Sequence, residues 1–293
     1  MRKVPEGGCP DPVGAILARH GILDSWEPLT CTGVANRIYA TRDVVLRIAT
    51  DHPDAVPDAR TESVAAPVAR AAGLPVPRLI AFDDSREVIA GPYSIWERVH
   101  GETLGLYRPD PEVVPETWRA VGRQLARLHT TVTECPDPHG WLDQPEHPDY
   151  DALRALAVAA APRLGAAEIV DWVATIETVF TTHTAPRRFL HYDVHDMNLM
   201  CGRDGSLMAI IDWGDAGWGD PVLELSEVPI RAIPYVLDGY RDAAASLLGE
   251  APEARVLAGQ LWCALEDLRD RGRFSRDIGE LRQFVSRHQH RWR

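Results

Sequence analysis

The chain has 293 residues, a length for about two domains and ample to bury a core. Hydrophobic residues make up 45% and charged residues 25%, ordinary globular usage that excludes a disordered, collagen-like or membrane-dominated chain. The formal charge of −12 argues against a non-specific nucleic-acid binder, because phosphate contact needs a basic face, and it is compatible with a cationic small-molecule partner.

Lys3 is the single lysine, so any phosphate-pairing cation in the body of the chain must be arginine or histidine. The five cysteines, Cys9, Cys31, Cys135, Cys201 and Cys263, lie far apart with no C-x-x-C pair. This spacing speaks against a disulfide framework or structural zinc and fits a reducing cytoplasm. No apolar run approaches 18 residues, and residues 1–8 lack an apolar h-region. The expectation is a cytoplasmic protein, without a membrane or nucleic-acid partner, as a monomer or homodimer.

In chain order, Asp11-Pro12 opens a helix that Gly21 closes. Two β-rich runs, Arg37 to Thr41 and Val44 to Ile48, are joined by Arg42-Asp43 and read as a hairpin. The small-residue turn Thr32-Gly33-Val34-Ala35-Asn36 precedes it. A helix is predicted over Asp58 to Ala72, stopped by Gly73, then strands over Val76 to Phe82 and Val88 to Val99. A break follows at Val99-His100-Gly101. Apolar Val113, Val121, Leu125 and Leu128 predict a helix over Glu112 to Val132. Cys135 to Asp149 reads as a loop, and Tyr150 to Ala161 and Glu168 to His183 as helices. Phe189 to Trp213 holds two short strands around Arg203-Asp204-Gly205. Helical stretches follow near 221–231, 235–249, 252–271 and 275–289. There is no internal repeat. A β-rich first third followed by a helical remainder predicts an α+β, two-lobed protein, divided near Gly101 into 1–100 and 101–293.

The densest polar cluster is His191-Tyr192-Asp193-Val194-His195-Asp196-Met197-Asn198, and an apolar run further on ends in Asp212-Trp213-Gly214. A carboxylate at the end of a buried strand is costly and needs a partner. Asparagine and aspartate are hard oxygen donors, suited to magnesium shared with substrate phosphates. Asp193 has the chemistry to accept a proton from an attacking hydroxyl. A base and two oxygen ligands are the parts that phosphoryl transfer requires.

With these residues the sequence resembles the aminoglycoside phosphotransferase and choline kinase-like family, relatives of the protein kinases. The likeness runs from about Thr30 to Leu268 and is strongest from Leu190 to Leu225. It implies a kinase-like fold with a nucleotide-binding first lobe and a catalytic, acceptor-binding second lobe, using ATP or GTP with magnesium. Asp193 resembles the catalytic base, and Asn198 and Asp212 the metal ligands. His195 stands where protein kinases carry a lysine near the transferred phosphate. Gly219-Asp220-Pro221 resembles the family turn whose aspartate braces the catalytic loop, with His191 as a second brace. Gly33, Ala35 and Asn36 resemble the phosphate-covering loop. Arg47 departs from the family's usual lysine, yet guanidinium binds phosphate bidentately, so the role can survive. Glu62 is its ion-pair candidate. The main chain of Glu97 and Val99 resembles the adenine-binding hinge. Acceptor candidates are Asp196, Asp215, Glu224, Glu227, Glu266, Asp267 and Asp270, with Trp213, Trp218 and Trp262 weighed between stacking and core packing.

The expectation is therefore an O-phosphotransferase acting on a hydroxyl of a small molecule, in first place an antibiotic. The alternatives are a choline, homoserine or sugar kinase, a non-catalytic nucleotide-binding regulator, a protein kinase, and a metal-dependent hydrolase using His191, Asp193 and His195 as ligands. The short interval between Asp212 and Gly219 favours a small acceptor over a protein.

Overall fold

A computed structural model describes residues 11–30, 33–107, 109–143, 149–182 and 186–292. Lys3, Cys9, Cys31, Thr32 and His183 lie outside the described residues, and the other three cysteines are free thiols. Helix α1 (Pro12–Arg19) starts as its sequence dictates, with Asp11 accepting the Val13 amide at 3.1 Å and proline in the first turn. Strands β1 (Glu27–Leu29), β2 (Asn36–Ala40) and β3 (Val44–Ala49) follow, then α2 (Ala55–Ala71), β4 (Leu79–Asp83) and β5 (Tyr93–Glu97). The five strands form one antiparallel sheet in the order β1-β2-β3-β5-β4.

The strand period of two decides where Arg47 goes. Val44, Leu46 and Ile48 pack with α1 residues Val13, Ile16 and Leu17 on one face of the sheet. Val45 and Arg47 therefore face the other side, toward the second lobe. The expected strand over Val76 to Phe82 begins only at Leu79, because Pro75 and Pro77 withhold ladder donors. The strand expected from Val88 begins at Tyr93, after Gly91-Pro92. Strand β1 was not evident from its three-residue run.

The second part is mainly helical. Short β6 (Glu102–Thr103) and α3 (Leu104–Tyr107) lead to α4 (Pro115–Thr131), α5 (Tyr150–Leu164) and α6 (Glu168–Thr182). Strands β7 (Arg188–Leu190), β8 (Leu199–Cys201), β9 (Leu207–Ile210) and β10 (Gly217–Gly219) then build two small sheets, β6-β8-β9 and β10-β7. Helices α7 (Ile233–Ala244), α8 (Pro252–Arg271) and α9 (Ile278–His288) complete the fold. The helix expected over 221–231 is a 3-10 turn, Pro221–Leu225, that ends before Pro229. Its tight winding turns Glu224 inward, where it is 1% exposed.

Helices α4 and α7 cross at two glycines. A side chain on Gly122 would strike the Val236 carbonyl and the Tyr240 amide, and one on Gly239 would strike the Arg119 carbonyl. Neither obstacle is a side chain that can swing away. Gly239→Ala is expected to lower stability by about 3 kcal/mol, the upper end for overpacking. The urea midpoint measures it, and a shift below a few tenths of a molar unit would contradict so close a crossing.

Candidate active site

Strand β7 delivers the loop from His191 to Asn198. The loop is held from beneath by the buried Glu224 carboxylate. Glu224 Oε1 accepts the His191 amide at 2.7 Å, and Oε2 accepts the Tyr192 amide at 2.9 Å. His129 Nε2 lies 3.1 Å from the same carboxylate, and its Nδ1 lies 2.7 Å from the Tyr240 hydroxyl. The chain of contacts is consistent if Tyr240 donates to Nδ1 and Nε2–H donates to Glu224. The glycine crossing of α4 and α7 brings Tyr240 close enough to take part.

Two residues in this region adopt left-handed backbone without being glycine, Tyr192 at φ 74° and Asp212 at φ 67°. Each such conformation costs about 1–3 kcal/mol and persists only where its surroundings enforce it. Tyr192 immediately precedes Asp193, and Asp212 opens the D-x-G segment. The glycine of that segment has its own reason, since a Cβ on Gly214 would meet the Asp58 Cβ of α2 at 2.7 Å.

Asp193 is fixed from two sides. Asn198 Nδ2 donates to its backbone carbonyl and to Oδ2, each at 2.9 Å, and His195 Nε2 lies 3.4 Å from Oδ2. His195 Nδ1 accepts the Met197 amide at 3.2 Å, which leaves the ring proton on Nε2, facing Asp193. Burial resists charge on this ring, but the Asp193 and Asp196 carboxylates outweigh it and raise its pKa. Charging the ring would cost the Met197 amide its acceptor, so the cap opposes protonation. His191 Nε2 lies 3.0 Å from the Ile211 carbonyl and Nδ1 accepts the Asp193 amide, tying the loop to the end of β9. Both His191 nitrogens are thus committed, and among the described residues no group of three or more histidine, cysteine, aspartate or glutamate side chains is placed to hold a metal. The zinc-type hydrolase reading has no support from this geometry.

Across the interlobe space, Arg47 Nη1 donates to both Glu62 oxygens at 2.7 Å, and Nη2 donates to Asp212 Oδ1 at 2.7 Å. Glu62, on α2, also lies 3.4 Å from the Trp213 amide. The Arg47 guanidinium holds the Asp212 carboxyl below the usual carboxylate range, while burial pushes Glu62 up. For magnesium, the donor set is two hard oxygens that no described protein group occupies, Asn198 Oδ1 and Asp212 Oδ2. That fits an ion completed by phosphate and water rather than an all-protein cage.

Two cavities are lined by these residues. One, of about 390 Å³, is walled by Leu29, Ile38, Val45 and Trp96 with Glu97, Arg98, Val99 and Gly101, and carries Arg47, Glu62 and Asp212. The other, of about 600 Å³, carries Asp193, His195, Asp215, Glu227, Glu266, Asp267 and Asp270. Most of its carboxylates have cations. Arg276 holds Glu227 at 2.8 Å, Arg269 holds Glu266 and Asp270, and Arg271 holds Asp267 at 2.5 Å. Among the described residues Asp215 has no such partner. Although the residue is exposed, partial desolvation and the nearby charges of Asp193, Asp58, Asp212 and Asp143 raise its pKa to about 8.

The structure thus places Arg47, Glu62, Glu97, Val99 and Asp212 on one cavity, and Asp193, His195, Asp215, Glu227, Glu266, Asp267 and Asp270 on the other. It gives the others different surroundings. Trp213 is 0% exposed, packs on His191 and donates to the Ile210 carbonyl, so it has no face for an acceptor. Asp196 turns against Gly105 of α3 and is absent from the acidic wall. Gly33, Ala35 and Asn36 precede and open β2 outside the lining of the apolar cavity, and the carbonyls of Val34 and Ala35 accept the Thr50 hydroxyl. Among the described residues Asp220 has no hydrogen bond or ion pair to the 191–198 loop. It caps the 3-10 turn at Val222 and pairs with Arg255 of α8. The bracing expected of it falls to Glu224, which the sequence offered only as an acceptor candidate. His129, Tyr240, Arg255 and Asp58 carried no sequence signal of their roles.

The profile described as the phosphotransferase enzyme family matches residues 32–229. No curated protein matches the chain. Among solved structures, a choline/ethanolamine kinase family protein from Mesorhizobium loti superposes with TM-score 0.59 at 19% identity, over 95% of this chain and 90% of that one. An aminoglycoside 2'-phosphotransferase-IIIa in complex with GDP gives 0.59 at 16% identity, over 95% of each chain. Spectinomycin phosphotransferase with ADP and spectinomycin gives 0.60 at 14% identity, over 94% of this chain and 93% of that one. At such identities the structures establish a shared kinase-like fold. The profile, covering most of the chain, establishes more: this protein belongs to the phosphotransferase enzyme family.

Proposed function

We propose that the protein moves the γ-phosphate of ATP or GTP to a hydroxyl of a small cationic molecule, in first place an antibiotic. The observation that carries the reading is the placement of Asp193 on an acidic cavity and Asp212 on an apolar one, with the Asn198–Asp193 contact between them. The apolar cavity suits a purine base, with Arg47 toward its phosphates. The acidic cavity suits an amine-bearing acceptor. Asp193 orients the acceptor hydroxyl and takes its proton as the bond to phosphorus forms, and His195 keeps the carboxylate aimed. When bound at Asn198 and Asp212, magnesium supplies positive charge against the nucleotide phosphates. Catalysis is then positioning and electrostatics.

The names of neighbouring structures support a small-molecule acceptor without fixing its identity, since one is named for spectinomycin and another for choline/ethanolamine. Mass spectrometry of aminoglycosides, macrolides, nucleoside and peptide antibiotics, choline and homoserine, incubated with protein, ATP or GTP and magnesium, tests the reading. Addition of one phosphoryl group to one class is expected. No mass change across the panel would contradict it.

The acidic cavity also sets a pH dependence. Below about 8 Asp215 carries a proton and is neutral; above that value it is ionised. A cationic acceptor binds the ionised form better, so acceptor KM is expected to fall as pH rises from about 7 to 9. Asp215→Asn should flatten that trend and leave nucleotide KM in place. An unchanged trend in the variant would exclude Asp215 from acceptor recognition.

A further inference from the structure

Arg47 has three nitrogens, and two of them are committed. Nη1 holds Glu62 and Nη2 holds Asp212, while Nε is buried without a hydrogen-bond partner. A buried, charged N–H lacking an acceptor is costly and marks a position where an acceptor belongs. Arg47 lines the apolar cavity, which gives an acceptor a route to the guanidinium, and Nε is reached as the group shifts toward it. A lysine on this strand would present one compact ammonium. The guanidinium fork instead reaches Glu62 and Asp212 at once, and its charge is divided between them.

The contact with Asp212 has a consequence for the metal. Oδ1 of the carboxylate that would ligate magnesium already has a cation at 2.7 Å. We infer that Arg47 acts as a latch on Asp212: in the nucleotide-free protein it serves as the counter-ion of that carboxylate, and an incoming phosphate oxygen takes the Nε donor and draws the guanidinium's charge away. Asp212 is then released to the metal, so nucleotide and metal bind with positive coupling that passes through Arg47. The coupling is reciprocal, and each ligand tightens the other by the same factor. This inference rests on the phosphotransfer reading of the site. It assigns Arg47 a role that its charge alone does not, because a lysine would supply charge without dividing it between Glu62 and Asp212.

The test uses the full chain with Mn²⁺ as the metal probe, followed by its electron paramagnetic resonance signal, with and without a non-hydrolysable ATP analogue. Arg47→Lys is expected to tighten Mn²⁺ binding in the nucleotide-free protein by about ten-fold, the scale of one charge-assisted hydrogen bond. The gain should vanish when Asp212→Asn is added. The nucleotide–metal coupling factor should shrink in Arg47→Lys by the same ratio. Glu62→Gln provides a variant of opposite sign: with Glu62 neutral, Arg47 leans on Asp212, nucleotide-free Mn²⁺ binding weakens, and coupling grows. Equal Mn²⁺ affinity in wild type and Arg47→Lys, with analogue binding intact in each, would overturn the latch alone. Failure of the wild type to bind the analogue with Mn²⁺ would overturn the phosphotransfer reading and the latch with it.

Discussion

Replacing Asp193 with asparagine is expected to lower kcat by about 10²–10⁴-fold, the range for removing a positioned general base. Nucleotide affinity should stay near its wild-type value, because Asp193 lies on the acidic cavity and not on the apolar one. The substitution preserves shape, and asparagine keeps an oxygen able to accept from Asn198 Nδ2. The group lost is the second carboxylate oxygen with its charge. Its place would be taken by an amide that donates toward the acceptor hydroxyl, the reverse of what proton removal needs, while the retained oxygen still faces Asn198 and His195. Stability should change by less than about 1 kcal/mol, since the side chain is partly exposed and its contact to Asn198 can be remade. Steady-state kinetics with thermal unfolding on the same preparation separates the two effects. A kcat within ten-fold of wild type would remove Asp193 from the chemistry.

Glu224→Ala should act in the opposite proportion, with the larger loss in stability. Its carboxylate accepts two loop amides, and His129 points at it from the other side. Truncation would leave the His191 and Tyr192 amides and the His129 ring without partners in a dry interior. Removing one member of a buried charged network costs about 3–5 kcal/mol. The loss should fall unevenly. The left-handed backbone at Tyr192 is held by these bonds, so the loop should relax first and carry Asp193 out of line. Glu224→Gln keeps one acceptor and most of the shape, and should fall between wild type and alanine in both kcat and unfolding free energy. Urea unfolding and kcat measured in parallel check this. Stability of Glu224→Ala within about 1 kcal/mol of wild type would show that water substitutes for the carboxylate and that the brace is weaker than its burial implies.

The loop from His191 to Asn198 was legible because it is local. His191, Asp193 and Asn198 sit within one loop whose short-range contacts, Asn198 to Asp193 and His191 to the Asp193 amide, join residues at most five apart. Arg47 and Glu62 were legible for a related reason: the strand period and the following helix place them on facing sides. The acidic wall was found as a composition of carboxylates on the late helices, and five of the candidates do line one cavity.

What the sequence did not reveal depends on distant partners. Glu224 looked like any carboxylate near an acceptor site, since its amide donors lie 32 and 33 residues away and His129 lies 95 away. Asp220 carried the family signal for a brace, but Arg255 draws it to α8 in this chain. Trp213 has an aromatic side chain beside the D-x-G segment but no face to solvent, because β9 ends beneath it and His191 packs on top. Element ends failed where proline intervened, at Pro75 and Pro77 before β4 and at Pro229 after the 3-10 turn.

The claim that Asp193 and Asp212 serve phosphoryl transfer between two cavities is tested most directly by acceptor-stimulated release of ADP or GDP, with magnesium and after its removal by EDTA. Wild-type and Asp193→Asn proteins run side by side. The account predicts release by the wild type that depends on both magnesium and one acceptor class and is lost in the variant. Acceptor-stimulated release that persists in Asp193→Asn, or that proceeds equally in EDTA, would contradict it.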